Sequence, residues 1–242
     1  MLWAMARFPL IGWAECSCSS EPMLSVKSGA STKGSFFITR TLISAHASGR
    51  AFSADDVPAP EDAYAISKLE AEQALRAVCS EWDMEFVVIR PPLVYGPGVK
   101  GNFASMVKWL ARGVPLPLGA VHNVRSLVAL DNLVDFIILC ADRERSPYAA
   151  NQTFLISDGE DLSTTELLRK VAHAFGVVPR LFPISIGVLR MAASLAGRPA
   201  VAERLLGSLL VDSAKARDLL GWRPVVAMDE QLGKMARNAA NA

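Results

Sequence analysis

Several things that would fix a chemistry quickly are scarce in this sequence. Only three histidines and four cysteines are spread over 242 residues. His46, His122 and His173 stand far apart, and Cys16-x-Cys18 has no second cluster at ligand spacing. A metal centre and a disulfide framework are therefore both excluded as organising features, and no residue is assigned to a metal. Charge of one sign is missing too: the net charge is +1, with lysine and arginine scattered along the chain. That leaves no electrostatic footprint for nucleic acid or for an anionic membrane surface. No run reaches the ~20 apolar residues of a membrane span; "FIILCA" and "IGVLRMAASLAG" are too short or carry charge. The opening "MLWAMARFPLIGWAEC" is interrupted by Arg7, so export is not expected. The absences describe a reduced, cytoplasmic protein whose ligand is small and neutral or locally anionic.

What is present is enough apolar material for a substantial core, since 51% of the residues are hydrophobic. Residues 1–33 have neither helical nor strand periodicity and form an irregular leader. The pattern steadies from residue 34. "SFFIT" (35–39) reads as a short strand and 48–62 as a loop, followed by a helix from Ala63 to Trp82 with Asp62 as its N-cap. Ile66, Leu69, Ala74, Leu75, Val78 and Trp82 recur at three and four positions and are expected to line its buried face. "EFVVIR" (85–90) reads as a strand covered on both faces, stopped by Pro91-Pro92. A helix over 102–113 ends at Gly113, a strand spans 124–130, and a helix over 131–143 is capped by Asp131. "QTFLISD" (152–158) is a further strand, the remainder is mainly helical, and Trp222 is expected in the core of the C-terminal lobe.

Within "DAYAISKLEAEQAL" (62–75), Tyr64 and Lys68 lie four residues apart, so both point from one face of the helix. A phenol with a pKa near ~10 is a poor base at neutral pH, and a neighbouring ammonium has the charge needed to favour the phenolate. The spacing alone is also that of an ordinary solvated helix face. Its neighbourhood is more specific. "YAISKLEAEQAL", "VVIRPPLVYGPG", "NFASMVKWLARGVPLPLG", "NVRSLVALDNLVDFI" and "VDSAKARDLLGWRP" follow in that order. Together they resemble the extended short-chain dehydrogenase/reductases, specifically the NAD-dependent nucleotide-sugar epimerase/dehydratase family, from about Gly34 to the C-terminus.

The resemblance implies an α/β fold: an incomplete Rossmann-like, doubly wound parallel sheet with a small, mainly helical C-terminal substrate lobe. It implies NAD as cofactor and a UDP-sugar as substrate, in a 4-epimerase, dehydratase or ketoreductase reaction of surface-polysaccharide biosynthesis. Tyr64 corresponds to the family's acid/base and Lys68 to the residue that assists it and holds the nicotinamide ribose. Thr39 falls at the position of the hydroxyl residue that completes the set, with Thr41 and Ser44 as alternatives, although Arg40 departs from the usual pattern. Pro91 to Val94 should pass the nicotinamide, Leu93 standing where some relatives carry a sugar-contacting Asn. Asn102 and Arg125 correspond to residues that meet the nucleotide diphosphate. Read without the family, Asn102 is a helix N-cap and Arg125 a surface strand residue. A homodimer is compatible with this reading, which leaves the oligomeric state open.

One part of the family pattern is missing. Gly12, Gly29, Gly34 and Gly49 precede Tyr64, and no strand, glycine-rich turn and helix can be built from them to cradle a pyrophosphate. The expectation is a chain truncated at its N-terminal side, 34–242 being the C-terminal part of the fold. The alternative to an enzyme is a catalytically inactive remnant with at most weak nucleotide-sugar binding.

Overall fold

In the computed structural model the described residues are 34–38, 50–60, 63–99, 102–197 and 199–240, with backbone alone at 34–38, 102, 200 and 204. In chain order they form β1 (Gly34–Ile38), α1 (Ala63–Glu81), β2 (Glu85–Arg90), β3 (Leu93–Tyr95), α2 (Asn102–Ala111), β4 (Leu127–Ala129) and α3 (Leu130–Ala141). A 3-10 turn (Pro147–Ala149) and β5 (Gln152–Leu155) follow, then α4 (Thr164–Ala174), α5 (Ile186–Leu195), α6 (Pro199–Leu206), α7 (Ala214–Leu220) and α8 (Met228–Ala240). Two compact units result. The sheet unit draws on residues up to Pro97, 124–162 and 208–240, and the helical unit on 98–123 and 163–207.

In the sheet unit β1, β2 and β5 pair in that order, all parallel, with Phe36 opposite Val87 and Val88 opposite Thr153. Parallel neighbours need a crossover, and α1 lies on the one joining β1 to β2. A second parallel pair, β3 and β4, sets Val94 opposite Val128. Successive side chains of β2 point to opposite faces, and both faces are covered. Val88 packs with Leu75 and Cys79 of α1, while Val87 and Ile89 join Phe136, Phe154 and Trp222. This two-sided burial is why "EFVVIR" carries an unbroken apolar centre. Phe136 anchors the larger cluster, meeting Phe154 and Trp222 edge-on at centroid distances of 5.4 and 5.0 Å. Trp222 is buried, but in the core of the sheet unit rather than in a C-terminal lobe, and its indole Nε1 donates to Asp135 Oδ2 at 2.9 Å.

The helical unit is built around Val121, Leu189, Ala202 and Leu206. Its α4 starts in a capping box: Ser163 Oγ accepts from the Glu166 N–H while the Glu166 carboxylate accepts from the Ser163 N–H. Thr165 Oγ1 ties this helix to the carbonyls of Leu118 and Val121.

Three expectations are corrected. Ile66, Ala74, Val78 and Trp82 are exposed and Leu69 half-buried, and the buried stripe of α1 is Ala65, Glu72, Leu75 and Cys79. The reason is that Glu72 goes inward to a buried arginine, turning the helix away from the face its larger apolar residues define. Only Leu127–Ala129 of the 124–130 stretch is strand; Arg125 sits in isolated bridges instead. The next helix starts at Leu130 rather than after Asp131, and its N-cap is Ala129, without a side-chain cap. Asp131 is a first-turn residue that pairs with Lys234 at 3.1 Å. Asp62 and residues 1–33 lie outside the described residues.

Candidate active site

Tyr64, Lys68 and Glu72 follow one another at four-residue steps down α1, and their burial increases along the series. Tyr64 is 46% exposed, Lys68 half-buried, and Glu72 only 2% exposed. The Lys68 ammonium lies over the Tyr64 ring, 5.4 Å from its centroid, within cation–π range. One helical turn on, the Glu72 carboxylate accepts from Arg90 twice, Nε to Oε2 at 3.1 Å and Nη2 to Oε1 at 2.7 Å. Arg90 is itself 5% exposed. Arg76 adds a third contact at 2.9 Å and also reaches Thr153 Oγ1 of β5 at 2.6 Å. A forked guanidinium held on both oxygens of a carboxylate fixes direction as well as distance. The helix that carries Tyr64 and Lys68 is thereby clamped to the C-terminal end of β2.

The chain leaves that end through Pro91 and Pro92, both buried. Val94 packs on the sheet core, so its backbone is what it can offer a ligand. Fully buried Tyr95 donates its hydroxyl to Asp158 Oδ2 at 2.7 Å. Asp158 also accepts from the Ala129 N–H and from Asn132 Nδ2, and Asn132 Oδ1 accepts from the N–H groups of Val225 and Val226. Burial holds the Asp158 carboxyl above its ordinary range against these hydrogen bonds, and burial and Asp158 push the Tyr95 hydroxyl far up. This hub ties the end of β3 to the start of α3 and to the segment before α8. Sequence reasoning missed both Glu72 and Asp158; the signals were a carboxylate four residues after Lys68 and the "SDGED" turn after β5.

The other expected residues are distributed. Half-buried Arg125 is held by its backbone, its N–H donating to Leu162 O at 2.9 Å and its carbonyl accepting from the Leu162 N–H at 3.0 Å. Asn102 opens α2 in the helical unit. Thr39, Thr41 and Ser44 lie outside the described residues. A cleft of about 650 Å³ in the sheet unit is lined by Ser157 to Glu160, Ser213, Arg217 and Trp222 to Met228, and none of the expected site residues borders it. No group of three or more potential metal ligands, and no helix long and apolar enough to cross a membrane, occurs among the described residues.

A phenol and an ammonium presented from one side of α1 fit the nicotinamide-ribose end of a dinucleotide. No residue is assigned to its pyrophosphate, because the glycine-rich turn that would hold it is not found before Tyr64.

Comparison with known proteins gives a consistent result. The model of the NAD dependent epimerase/dehydratase family matches residues 36–154. The chain is 43% identical over 190 residues to the UDP-glucose 4-epimerase of Vibrio cholerae, covering 78% of this chain and 57% of that protein. It is 28% identical over 191 residues to the UDP-glucose 4-epimerase of Mycolicibacterium smegmatis, covering 75% and 54%. It thus spans about half the length of the curated relatives it matches. Among solved structures, the Thermus thermophilus UDP-glucose 4-epimerase in complex with NAD superposes with a TM-score of 0.67 at 20% identity, covering 86% of this chain and 64% of that one. The Thermotoga maritima UDP-glucose 4-epimerase with UDP-glucose gives 0.66 at 21%, with the same coverage. At these identities the two structures speak for the fold.

Proposed function

Because the chain belongs to the NAD-dependent epimerase/dehydratase family, we propose that it acts on a UDP-hexose as a 4-epimerase, dehydratase or ketoreductase of surface-polysaccharide assembly. The observation that carries this reading is Tyr64 and Lys68 side by side on a helix clamped to the strand that runs into Pro91-Pro92. Bound NAD would supply the two-electron exchange at a sugar carbon. Tyr64 Oη takes the proton of the sugar hydroxyl on that carbon and returns it when the step reverses. Lys68 stabilises the phenolate in between and holds the nicotinamide ribose. Thr39 donates to the same sugar oxygen, and the Pro91–Val94 backbone orients the nicotinamide. Arg125 meets the diphosphate as a fork for its oxygens.

The test is interconversion of UDP-glucose and UDP-galactose by the full chain with saturating NAD. Tyr64→Phe should lower the rate by at least ~10², the general acid/base contribution, with an unchanged circular dichroism spectrum. A Phe variant of normal rate would remove Tyr64 from the reaction. A second reading is nucleotide-sugar binding without turnover. Calorimetric UDP-sugar binding by a wild-type chain that converts nothing would select it.

A further inference from the structure

The helix α5 buries only one of its apolar sides. Leu189, 6% exposed, faces Val121, Ala202 and Leu206, with Ile186 and Ala193 beside it. Val188, Met191 and Leu195 follow at steps of three and four, so they share another face. They are 49%, 60% and 79% exposed. The segment leading into α5 adds Val178 and Phe182, also exposed, on either side of exposed Arg180.

This stripe belongs to a unit with an excess of positive charge. Among its described side chains the helical unit has six lysines and arginines, Lys108, Arg112, Arg169, Lys170, Arg180 and Arg190, against two glutamates. Both glutamates have partners: Glu203 pairs with Arg190 at 3.2 Å, and Glu166 closes the capping box of α4. The whole chain has a net charge of only +1, so the fold collects into one unit a positive excess that the linear sequence conceals.

From the apolar stripe, the exposed Arg180 and Arg190 next to its residues and the positive excess of the unit, we propose that the helical unit docks on an anionic phospholipid bilayer, with α5 lying in the interface plane. A stable peripheral contact needs two signals, apolar insertion and basic attraction, and this unit has both. Charge also disfavours a second copy as occupant, because pairing two such units would oppose two positive excesses. The inference does not depend on the epimerase reading.

Vesicle sedimentation of the full chain tests it. Binding should be at least about tenfold tighter on phosphatidylcholine vesicles carrying roughly one-third phosphatidylglycerol than on phosphatidylcholine alone, as several basic residues near a charged surface dictate. Salt at about 0.5 M should remove most of the difference by screening. M191E/L195E should lose about tenfold or more in partitioning while keeping its circular dichroism spectrum, because both side chains are exposed. W82E, on an exposed position of the sheet unit, should bind as the wild type does. Equal binding to the two vesicle types, no binding, or an unaffected M191E/L195E variant would overturn the proposal. A salt-stable dimer that M191E/L195E splits, without vesicle binding, would overturn it in favour of self-association.

Discussion

Glu72 shows how a single side chain can set the frame for a site it does not enter. It is buried with Arg90 also buried, so the pair has lost its solvation and depends on mutual contact. Glu72→Gln leaves two guanidinium groups facing a neutral amide and should cost about 3–5 kcal/mol, the range for breaking a buried pair from one side. Urea denaturation measures this; a loss below about 1 kcal/mol would mean the pair is solvated as a surface bridge is. Asp158 gives a different signature. Burial raises its carboxyl above the unfolded value of 3.8, so the folded state holds more protons than the unfolded state in the window above that value. Its contribution to stability is full below the unfolded value and is lost as pH rises through the folded one. Asp158→Asn should therefore remove a descending component from the stability profile in mild acid. Identical pH slopes for the two proteins would contradict the assignment.

The elements were legible in the sequence to the extent that periodicity and breakers controlled them. "EFVVIR" emerged with its predicted limits because it is apolar on both faces and two prolines end it. The face of α1 was not legible, because a carboxylate turned inward looks polar until its arginine partner, eighteen residues away, is seen. The stretch 124–130 is rich in apolar residues as a buried strand is, but a partner pairs only with Leu127–Ala129 in a regular ladder. That Tyr64 and Lys68 lie together on α1 was readable from helical spacing; the Asp158 hub was not, since its members come from four separate segments. The close approach of Gly96 was equally hidden. With φ of +157°, a Cβ there would lie 2.6 Å from Leu130 Cβ and 2.8 Å from Gln231 Nε2, so the turn after β3 fits against α3 and α8 only without a side chain. Gly96→Ala should destabilise the chain by about 1–3 kcal/mol through overpacking and backbone strain. Unchanged thermal unfolding would show that α8 yields.

At the scale of the molecule, one unit holds the sheet, the tyrosine–lysine helix and most charges of both signs, and the other has a positive excess because it holds few carboxylates. Scattered charge in the sequence becomes segregated charge in the fold, which composition cannot reveal. The central claim concerns α1: that Tyr64 and Lys68 are a proton-transfer pair and not a solvated helix face. The pH–rate profile of Lys68→Met for UDP-glucose conversion, with saturating NAD, tests it most directly. Removing the cation destabilises the phenolate, so the profile should move to higher pH while folding is unaffected. A profile that coincides with the wild type would contradict the claim.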